Sequence, residues 1–336
     1  MGLFLENGYL DFAYCLSSGC PYIFIVGARA IGKTFGALKW CIENDTEFLL
    51  LRRTQSQLEL LNNPQFSPII PVANYLGLDI ETRRINKYSS GFYMKSGDYE
   101  LQLGITAALS TFANMRGFSS TAKILLADEF IPELHQSKIN GEFEAFANIV
   151  ESVGRNRELN GGEALRVVCM ANSNSISNPI LEGFGVTNIM RRMNSKGQTE
   201  YINKERGIAI YNIWNSPISK AKRQTSLYHA IGESAFSEMA LNNNFAFDDF
   251  SDVRSMPLNK GMKLKYQIGK YFMYANTDFW YLSEHGAGTP AKVYEDTEID
   301  KKRFVRENTE VFRRILKHRI VYETFSAKNY LTSLYL

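Results

Sequence analysis

The chain has 336 residues, of which 45% are hydrophobic and 22% are charged, and its formal net charge is only +3. This composition is typical of a globular protein with room for two domains, and it argues against a polycation and a disordered chain. No apolar stretch approaches the ~20 residues that cross a bilayer, the start lacks the basic region of a signal peptide, and the four cysteines show no disulfide or zinc spacing.

The first strong motif follows an apolar run from Tyr22 to Val26, which predicts a strand. The next eight residues read G-A-R-A-I-G-K-T, the G-x-x-x-x-G-K-[ST] pattern of a phosphate-binding loop. In such loops the glycines let backbone N–H groups surround a phosphate, the lysine reaches the β- and γ-phosphates, and the hydroxyl binds Mg²⁺. The arginine adds a second cation that can follow the phosphates. Rather than a glycine turn beside a lysine, we therefore predict a nucleotide site formed by Gly27, Ala28, Arg29, Ala30, Ile31, Gly32, Lys33 and Thr34.

The segments that follow predict an α/β fold. Helices are expected from about Lys33 to Asn44 and over Glu142–Val153, and strands at Glu47–Leu51, within residues 78–105, at Lys123–Ala127 and at Arg166–Ala171. Short apolar strands separated by helices indicate a mostly parallel, twisted sheet, which binds its ligands at the carboxyl ends of the strands.

Two acidic residues, Asp128 and Glu129, directly follow the apolar run from Ile124 to Ala127. In P-loop enzymes an Asp in this Walker B position holds Mg²⁺ and its water shell, and a Glu beside it can polarise the attacking water. On a chain with a complete phosphate loop, this pair predicts ATP hydrolysis by an additional-strand (ASCE) NTPase. A GTP switch would need an N-K-x-D motif, which the sequences beginning at Asn86 and Asn203 do not complete.

Two further polar positions are candidates for the same site. Arg155 follows the predicted helix, and an arginine there suits the charge that develops on a transferred phosphoryl group and can come from a neighbouring subunit. The pattern by itself favours a surface ion pair for this residue. Asn172 ends the predicted strand at Ala171, where it can sense the γ-phosphate; a helix or turn cap is the alternative.

The amino-acid composition of the sequence changes after Pro179. Between Val186 and Thr225 eight Lys or Arg residues stand against two Glu, a local charge of +6, which suits either a polyanion such as nucleic acid or a solvated surface. Farther on, short aromatic strands and a basic helix from about Lys301 to Ile320 predict a second, α+β domain. The sequence thus predicts a P-loop ATPase domain over 1–183, a basic connecting segment over 184–225 and a C-terminal domain over 226–336.

At these motifs the sequence resembles a known family. The loop from Ile25 to Thr34, the acidic run from Asp128 to Ile131, the cluster from Arg155 to Glu158 and the stretch from Cys169 to Pro179 match the DNA-packaging ATPases (encapsidation proteins) of phi-twenty-nine-like Picovirinae phages in order and spacing. The similarity covers residues 20–180; beyond them only the layout is similar. The resemblance implies an ATP-driven, terminase-like motor that packages double-stranded viral DNA into a procapsid as a homopentameric ring docked on the portal protein.

The resemblance also implies roles for particular residues and a place in the cell. Arg155 would act in trans on the ATP of the neighbouring subunit, and the C-terminal domain would be a vestigial RNase H-like nuclease domain. Because only Asp278 lies near a predicted strand end there, we expect no nuclease activity. Where the family has a lysine shortly after its paired arginines, this chain has Thr54-Gln55. The expected location is the host cytoplasm, transiently at the portal and not in the mature virion; the need for a packaging RNA stays open.

DNA would be held by loops that line the pore of the ring, through sequence-independent phosphate contacts. The candidates are Arg116, Lys138 and Asn140, each of which could equally be an ordinary solvated residue. Two other functions stay open: another ring-forming P-loop DNA motor, such as a helicase or partition ATPase, and a non-catalytic, nucleotide-gated assembly factor. Portal binding would separate the first from a packaging motor, and ATPase activity would separate the second.

Overall fold

The computed structural model describes residues 2–115, 121–133, 136, 139–172, 175–214, 216–234, 237, 240–241, 248–258 and 261–335. The chain folds into two compact units, the first made of residues 1–184 and 189–247 and the second of residues 185–188 and 248–336. Within the described ranges, no helix combines the length and apolar character needed to cross a membrane.

The strands, in chain order, are β1 (Tyr22–Gly27), β2 (Phe48–Arg52), β3 (Asp79–Asn86), β4 (Ser89–Ser96), β5 (Tyr99–Ala108), β6 (Ile124–Asp128), β7 (Arg166–Ala171), β8 (Glu200–Asn203), β9 (Ile208–Ile213), β10 (Lys263–Ile268), β11 (Tyr271–Ala275), β12 (Trp280–Ser283), β13 (Lys292–Tyr294) and β14 (Ile320–Tyr322). The helices are α1 (Phe12–Leu16), α2 (Lys33–Glu43), α3 (Gln55–Leu60), α4 (Ile69–Leu76), α5 (Glu142–Gly154), α6 (Pro179–Gly183), α7 (Thr187–Ser195), α8 (Pro217–Lys222), α9 (Ser226–Ile231), α10 (Glu298–Glu307), α11 (Thr309–Leu316) and α12 (Phe325–Ser333).

The first unit is built on one large sheet. Over the residues described, it has nine strands in the order β3-β4-β5-β2-β6-β7-β1-β9-β8. The strands from β5 to β9 in that order run parallel, and antiparallel pairs flank them at both edges. The strand β7 lies between β6 and β1. The predicted α/β fold with a mostly parallel sheet is confirmed.

The central strands are buried on both faces. Successive strand residues point to opposite faces of a sheet, and Ile23, Phe24, Ile25 and Val26 of β1 are all fully buried. The same is true along β6, where every position is buried. Continuous apolar runs of this kind are typical of parallel strands covered on both sides, and they explain why the sequence pattern located β1, β2, β6 and β7 to within about a residue.

Residues 184–225 do not form the connecting segment that the sequence predicts, since most of them belong to the first unit. The strand β9 pairs in parallel with β1 and is buried at every position. The basic composition of this segment is misleading, because several of its charged side chains donate hydrogen bonds to the protein's own backbone. Lys204 donates to the carbonyl oxygen of Ser18, and Arg206 to that of Phe184. The boundary between the units falls near residue 248.

The second unit is smaller and has its own sheet. Its five strands, among the residues described, have the order β13-β10-β11-β12-β14, with β10, β11 and β12 antiparallel and the two edge strands parallel to their neighbours. Asp278 lies in the turn between β11 and β12, where the side chain of Asn276 accepts hydrogen bonds from the backbone N–H groups of Asp278 and Phe279. The position of Asp278 is therefore explained by this turn.

The single helix predicted from about Lys301 to Ile320 is wrong, because the chain forms α10, α11 and β14 there. The break lies at Asn308, which is buried and has a φ of −126°. The Asn308 side chain donates to the carbonyl oxygen of Phe304 at 2.9 Å and to the hydroxyl of Tyr294 at 3.1 Å. An Asn side chain that bonds nearby backbone competes with helical hydrogen bonds, which ends α10 here.

A buried ion pair joins β2 to α5 in the first unit. Arg53 directly follows β2 and is only 2% exposed, and its Nε lies 2.6 Å from Oε1 of Glu142, the first residue of α5. A second guanidinium nitrogen of Arg53 donates to Oε2 of Glu142 at 3.2 Å, so the contact is bidentate. Such a pair fixes the start of α5 against the end of β2.

We expect Glu142→Gln to destabilise the first unit strongly, because it removes the carboxylate that balances the buried Arg53 guanidinium charge. Breaking a buried pair in this way costs about 3–5 kcal/mol of unfolding free energy. Urea unfolding followed by fluorescence measures the change. The matched control is Glu43→Gln, which removes the exposed pair with Lys39 and should cost only about 0.3–0.5 kcal/mol. Equal midpoints for the two variants would contradict this assignment.

Candidate functional site

The loop of residues 27–34 connects β1 to α2 and has the conformation that its glycines predict. Gly32 has a φ of +90° and is the N-cap of α2, a backbone conformation that side chains disfavour. At Gly27 the constraint is space, because an added Cβ would lie 2.8 Å from Cδ1 of Ile31 and 2.9 Å from Cβ of Ile213. Both glycines are therefore required by the path of the loop, which ends at the positive end of α2.

Lys33 lies over this loop and is only 8% exposed. Its Nζ donates to the carbonyl oxygens of Gly27 at 3.0 Å and Ala28 at 2.8 Å, and to Oδ1 of Asn172 at 3.1 Å. The pKa of Lys33 is lowered to about 7, chiefly by burial; the Asp128 carboxylate opposes this shift and the Arg29 guanidinium adds to it. Asn172 lies next to Lys33, as expected for residues at the carboxyl ends of parallel strands, because β7 ends beside β1.

Thr34 and Asp128 form the candidate metal site. The Thr34 hydroxyl donates to the Asp128 carboxylate, at 2.9 Å to Oδ1 and 3.0 Å to Oδ2. Mg²⁺ accepts oxygen ligands of these kinds and usually completes its shell with water and substrate phosphates. No cluster of three or more His, Cys, Asp or Glu side chains that could hold a metal ion occurs among the described residues. The donor set thus fits a Mg²⁺ that arrives with a nucleotide.

Glu129 is half-exposed and has an unusual backbone conformation, with a φ of +55°. A non-glycine residue in this region costs about 1–3 kcal/mol and occurs preferentially at functional sites. Partial desolvation raises the pKa of Glu129, while the Arg52 guanidinium opposes that shift. A carboxylate with a raised pKa is a better acceptor for the proton of a water molecule.

Arg52 is a site residue whose role was not predicted from the sequence. One of its guanidinium nitrogens lies 3.2 Å from Oδ2 of Asp128 and 3.2 Å from Oε2 of Glu129. Gln57 also approaches Glu129, with its Nε2 at 3.4 Å from Oε2. Gln57 belongs to the capping box that Thr54 forms at the start of α3. The sequence feature that indicates Arg52 is its position at the end of the buried strand β2. The structure places this strand beside β6.

Arg29 lies in the loop, as predicted, but its side chain is paired with Glu133. Its backbone is also held, because its N–H donates to the carbonyl oxygen of Ala240 at 3.2 Å and its carbonyl oxygen accepts from Nζ of Lys222 at 3.1 Å. The neighbouring Ala30 has a φ of +59°. Glu133 and Lys222 are thus two further residues of the site that the sequence did not predict.

Arg155 is far from the loop of its own chain. It is the exposed C-cap of α5, which starts beyond the carboxyl end of β6 and runs back for 13 residues, or about 20 Å. Arg155 borders a cavity of about 570 Å³ that is also lined by Pro21 and Tyr22, at the amino end of β1. The phosphate-binding loop follows the carboxyl end of the same strand. Arg155 therefore lies at the opposite end of the sheet from its own Lys33.

The candidate DNA contacts are only partly covered by the structure. Arg116 and Lys138 lie outside the described residues. Asn140 is exposed and precedes α5, where it lines a groove of about 750 Å³ together with Ser110 and Arg155. Of the three candidates, Asn140 is thus placed at the surface.

Taken together, the described residues fit a nucleoside triphosphate with Mg²⁺. Lys33, Arg29 and Lys222 bring positive charge to the loop side, while Asp128 and Glu129 bring carboxylates from the end of β6. Like charges repel one another, so a cluster of cations around a loop of this shape indicates an anionic ligand. A polyphosphate satisfies the cations, and the metal that it carries satisfies the carboxylates.

Comparison with known proteins supports the same class of protein. The sequence pattern of the family described as Podovirus DNA encapsidation protein (Gp16) matches residues 9–285. The bacteriophage Phi-29 viral genome packaging motor assembly contains a chain with a similar fold, at 19% identity, a TM-score of 0.66 and coverage of 99% of both chains. The Phi-28 gp11 DNA packaging motor is similar at 14% identity, a TM-score of 0.62 and coverage of 96% of this chain and 95% of the other. No curated protein matches the chain.

We expect Asp128→Asn to reduce the contribution of Mg²⁺ to nucleotide binding, because it removes the carboxylate charge beside Thr34. Loss of groups around a metal typically lowers metal affinity about 10–100-fold. The measurement is the Kd for ATP with Mg²⁺ and with EDTA, and the ratio of the two should approach one in the variant. Asp45→Asn, at an exposed turn, should keep the wild-type ratio. An unchanged ratio in Asp128→Asn would contradict the metal assignment.

Proposed function

The chain belongs to the podovirus DNA encapsidation protein family, and on that premise we propose that it is the ATPase of a ring-shaped motor that drives double-stranded viral DNA into a procapsid. The main support is the convergence of Lys33, Asp128, Glu129 and Asn172 at one edge of the sheet. The two similar structures, which are DNA packaging motors by their names, give independent support.

The proposed hydrolysis site divides its work among neighbouring residues. Lys33 binds the β- and γ-phosphates of ATP, and Thr34 and Asp128 would hold Mg²⁺, which would supply positive charge beside the phosphates. Glu129 orients the attacking water and accepts a proton from it, a role that the raised pKa of Glu129 favours. Asn172, already bonded to Lys33, is placed to respond when the γ-phosphate leaves.

The site is completed by a second copy of the chain. Arg155 is exposed at the end of the sheet that lies away from its own loop, which supports a role for it at the nucleotide of a neighbour. An arginine supplied in trans stabilises the charge of the transition state and is worth about 10³–10⁵ in kcat in well-studied cases. Head-to-tail contacts of this type form a ring when the rotation between neighbours closes, and we propose a homopentamer for the assembled motor.

The remaining partners follow from the proposed task. The ring docks on the portal protein of the procapsid in the host cytoplasm and leaves before the virion matures. DNA passes through the ring and is held by phosphate contacts, because the motor must move any sequence. Asn140, at the surface before α5, is one candidate contact, with Arg116 and Lys138 as the others.

The proposal requires ATP hydrolysis that double-stranded DNA stimulates and that salt weakens steeply, because phosphate contacts release counterions. We expect Glu129→Gln to bind ATP with near wild-type Kd and to lose at least about 10²-fold in kcat, since it keeps the shape of the side chain but removes the base. The measurements are steady-state ATPase and equilibrium ATP binding. Wild-type turnover in Glu129→Gln, or hydrolysis indifferent to DNA, would refute the proposal.

The trans role of Arg155 has a complementation test. Arg155→Ala and Glu129→Gln rings should each be inactive, yet a 1:1 mixture should regain activity, because about a quarter of the interfaces then join an intact Glu129 to an intact Arg155. The control replaces Arg155→Ala by Arg157→Ala, since Arg157 donates to the carbonyl oxygen of Val153 in α5 of its own chain and should keep activity alone. A mixture as inactive as its components would argue against the composite site.

A further inference from the structure

A segment of the first unit distant in sequence lies directly against the phosphate-binding loop. The helix α8 begins after Ser216, whose hydroxyl caps it, and ends at Lys222. The Lys222 Nζ donates to the carbonyl oxygen of Arg29 at 3.1 Å. A lysine that follows the loop by almost 190 residues thus lies one hydrogen bond from the loop's third residue.

The loop is attached to this segment a second time. The N–H of Arg29 donates to the carbonyl oxygen of Ala240 at 3.2 Å. Ala240 packs in a small buried cluster with Tyr228 and Leu241, and the Lys222 ammonium lies 5.8 Å from the centre of the Tyr228 ring. The backbone of Arg29 is therefore held on both sides, by Lys222 and by Ala240, and Lys222 lies between the loop and the Tyr228 ring.

The charges around Lys222 point to an anionic ligand. Within the described residues Lys222 forms no ion pair, whereas Arg29 is paired with Glu133. Burial lowers the pKa of Lys222, and the Arg29 guanidinium lowers it further. The Lys222 ammonium also lowers the pKa of Lys33, because the two positive charges repel each other. A half-buried ammonium placed near two other cations, with a neutral carbonyl as its acceptor, is a poor arrangement until an anion arrives.

We propose that Lys222 is a second phosphate-binding lysine of the nucleotide site, supplied by the same chain, and that it exchanges the Arg29 carbonyl for a phosphate oxygen when ATP binds. The inference rests on the nucleotide site of the proposed function. The exchange is favourable because a hydrogen bond between two charged groups is about twice as strong as one to a neutral acceptor. Nucleotide binding would then also change how α8 is held against the loop.

The test measures the Kd of Mg²⁺–ATP in the Glu129→Gln background, where ATP is not consumed. Lys222→Met keeps an unbranched side chain one atom shorter and removes its charge, and we expect about a tenfold to hundredfold weaker Kd. Lys222→Arg, which keeps the charge, should bind within about threefold of the parent. Lys220→Met is the matched control on an exposed position of the same helix and should leave the Kd unchanged.

The possible outcomes are distinct. If the parent binds ATP and Lys222→Met binds it equally well, this inference is overturned while the nucleotide site stands. If Lys222→Met and Lys222→Arg weaken binding equally, and both lower the Tm of the nucleotide-free protein, the side chain braces the loop and the inference is again overturned. If the parent itself fails to bind ATP, the proposed function and the inference fail together.

Discussion

The whole site depends on the order of four parallel strands, β2-β6-β7-β1. Parallel strands present their carboxyl ends at one edge, and the register keeps those ends level, with Val26 opposite Ala171 and Asp128 opposite Met170. The residues that directly follow each strand therefore lie close together, and no long loop is needed to bring them into contact. Because β7 lies between β6 and β1, Asn172 comes between the Walker B carboxylates and Lys33. A different strand order would separate these groups by the width of a strand or more.

Several charged groups of the site contact polar groups of the protein itself. Lys33 is held by loop carbonyls and Asn172, and Arg52 bridges Asp128 and Glu129. Under the proposed function, a triphosphate with its metal would compete for most of these groups, so its binding would replace several protein contacts together. The site would then couple the presence of the γ-phosphate to the positions of β7, of α3 and of the segment around α8. The proposed motor needs such coupling, since it would convert hydrolysis into movement.

Sequence alone predicted the local parts of this arrangement well. The phosphate loop and Asp128-Glu129 could be located because their geometry is encoded within a few residues, and Asn172 because strand ends converge. The role of Arg52 depends on β2 lying beside β6, and strand order cannot be read from local patterns. The contact of Lys222 with Arg29 is longer in range still. The basic composition of 184–225 concealed the buried strand β9, and the break at Asn308 depends on a tertiary hydrogen bond to Tyr294.

The composite site at a subunit interface is the central claim, and a cryo-EM structure of the assembled ring with a non-hydrolysable ATP analogue tests it most directly. We expect the Arg155 guanidinium of one subunit within about 3.2 Å of the γ-phosphate held by Lys33 of the next subunit. A ring in which Arg155 faces solvent, or in which the analogue is enclosed by a single chain, would contradict the claim.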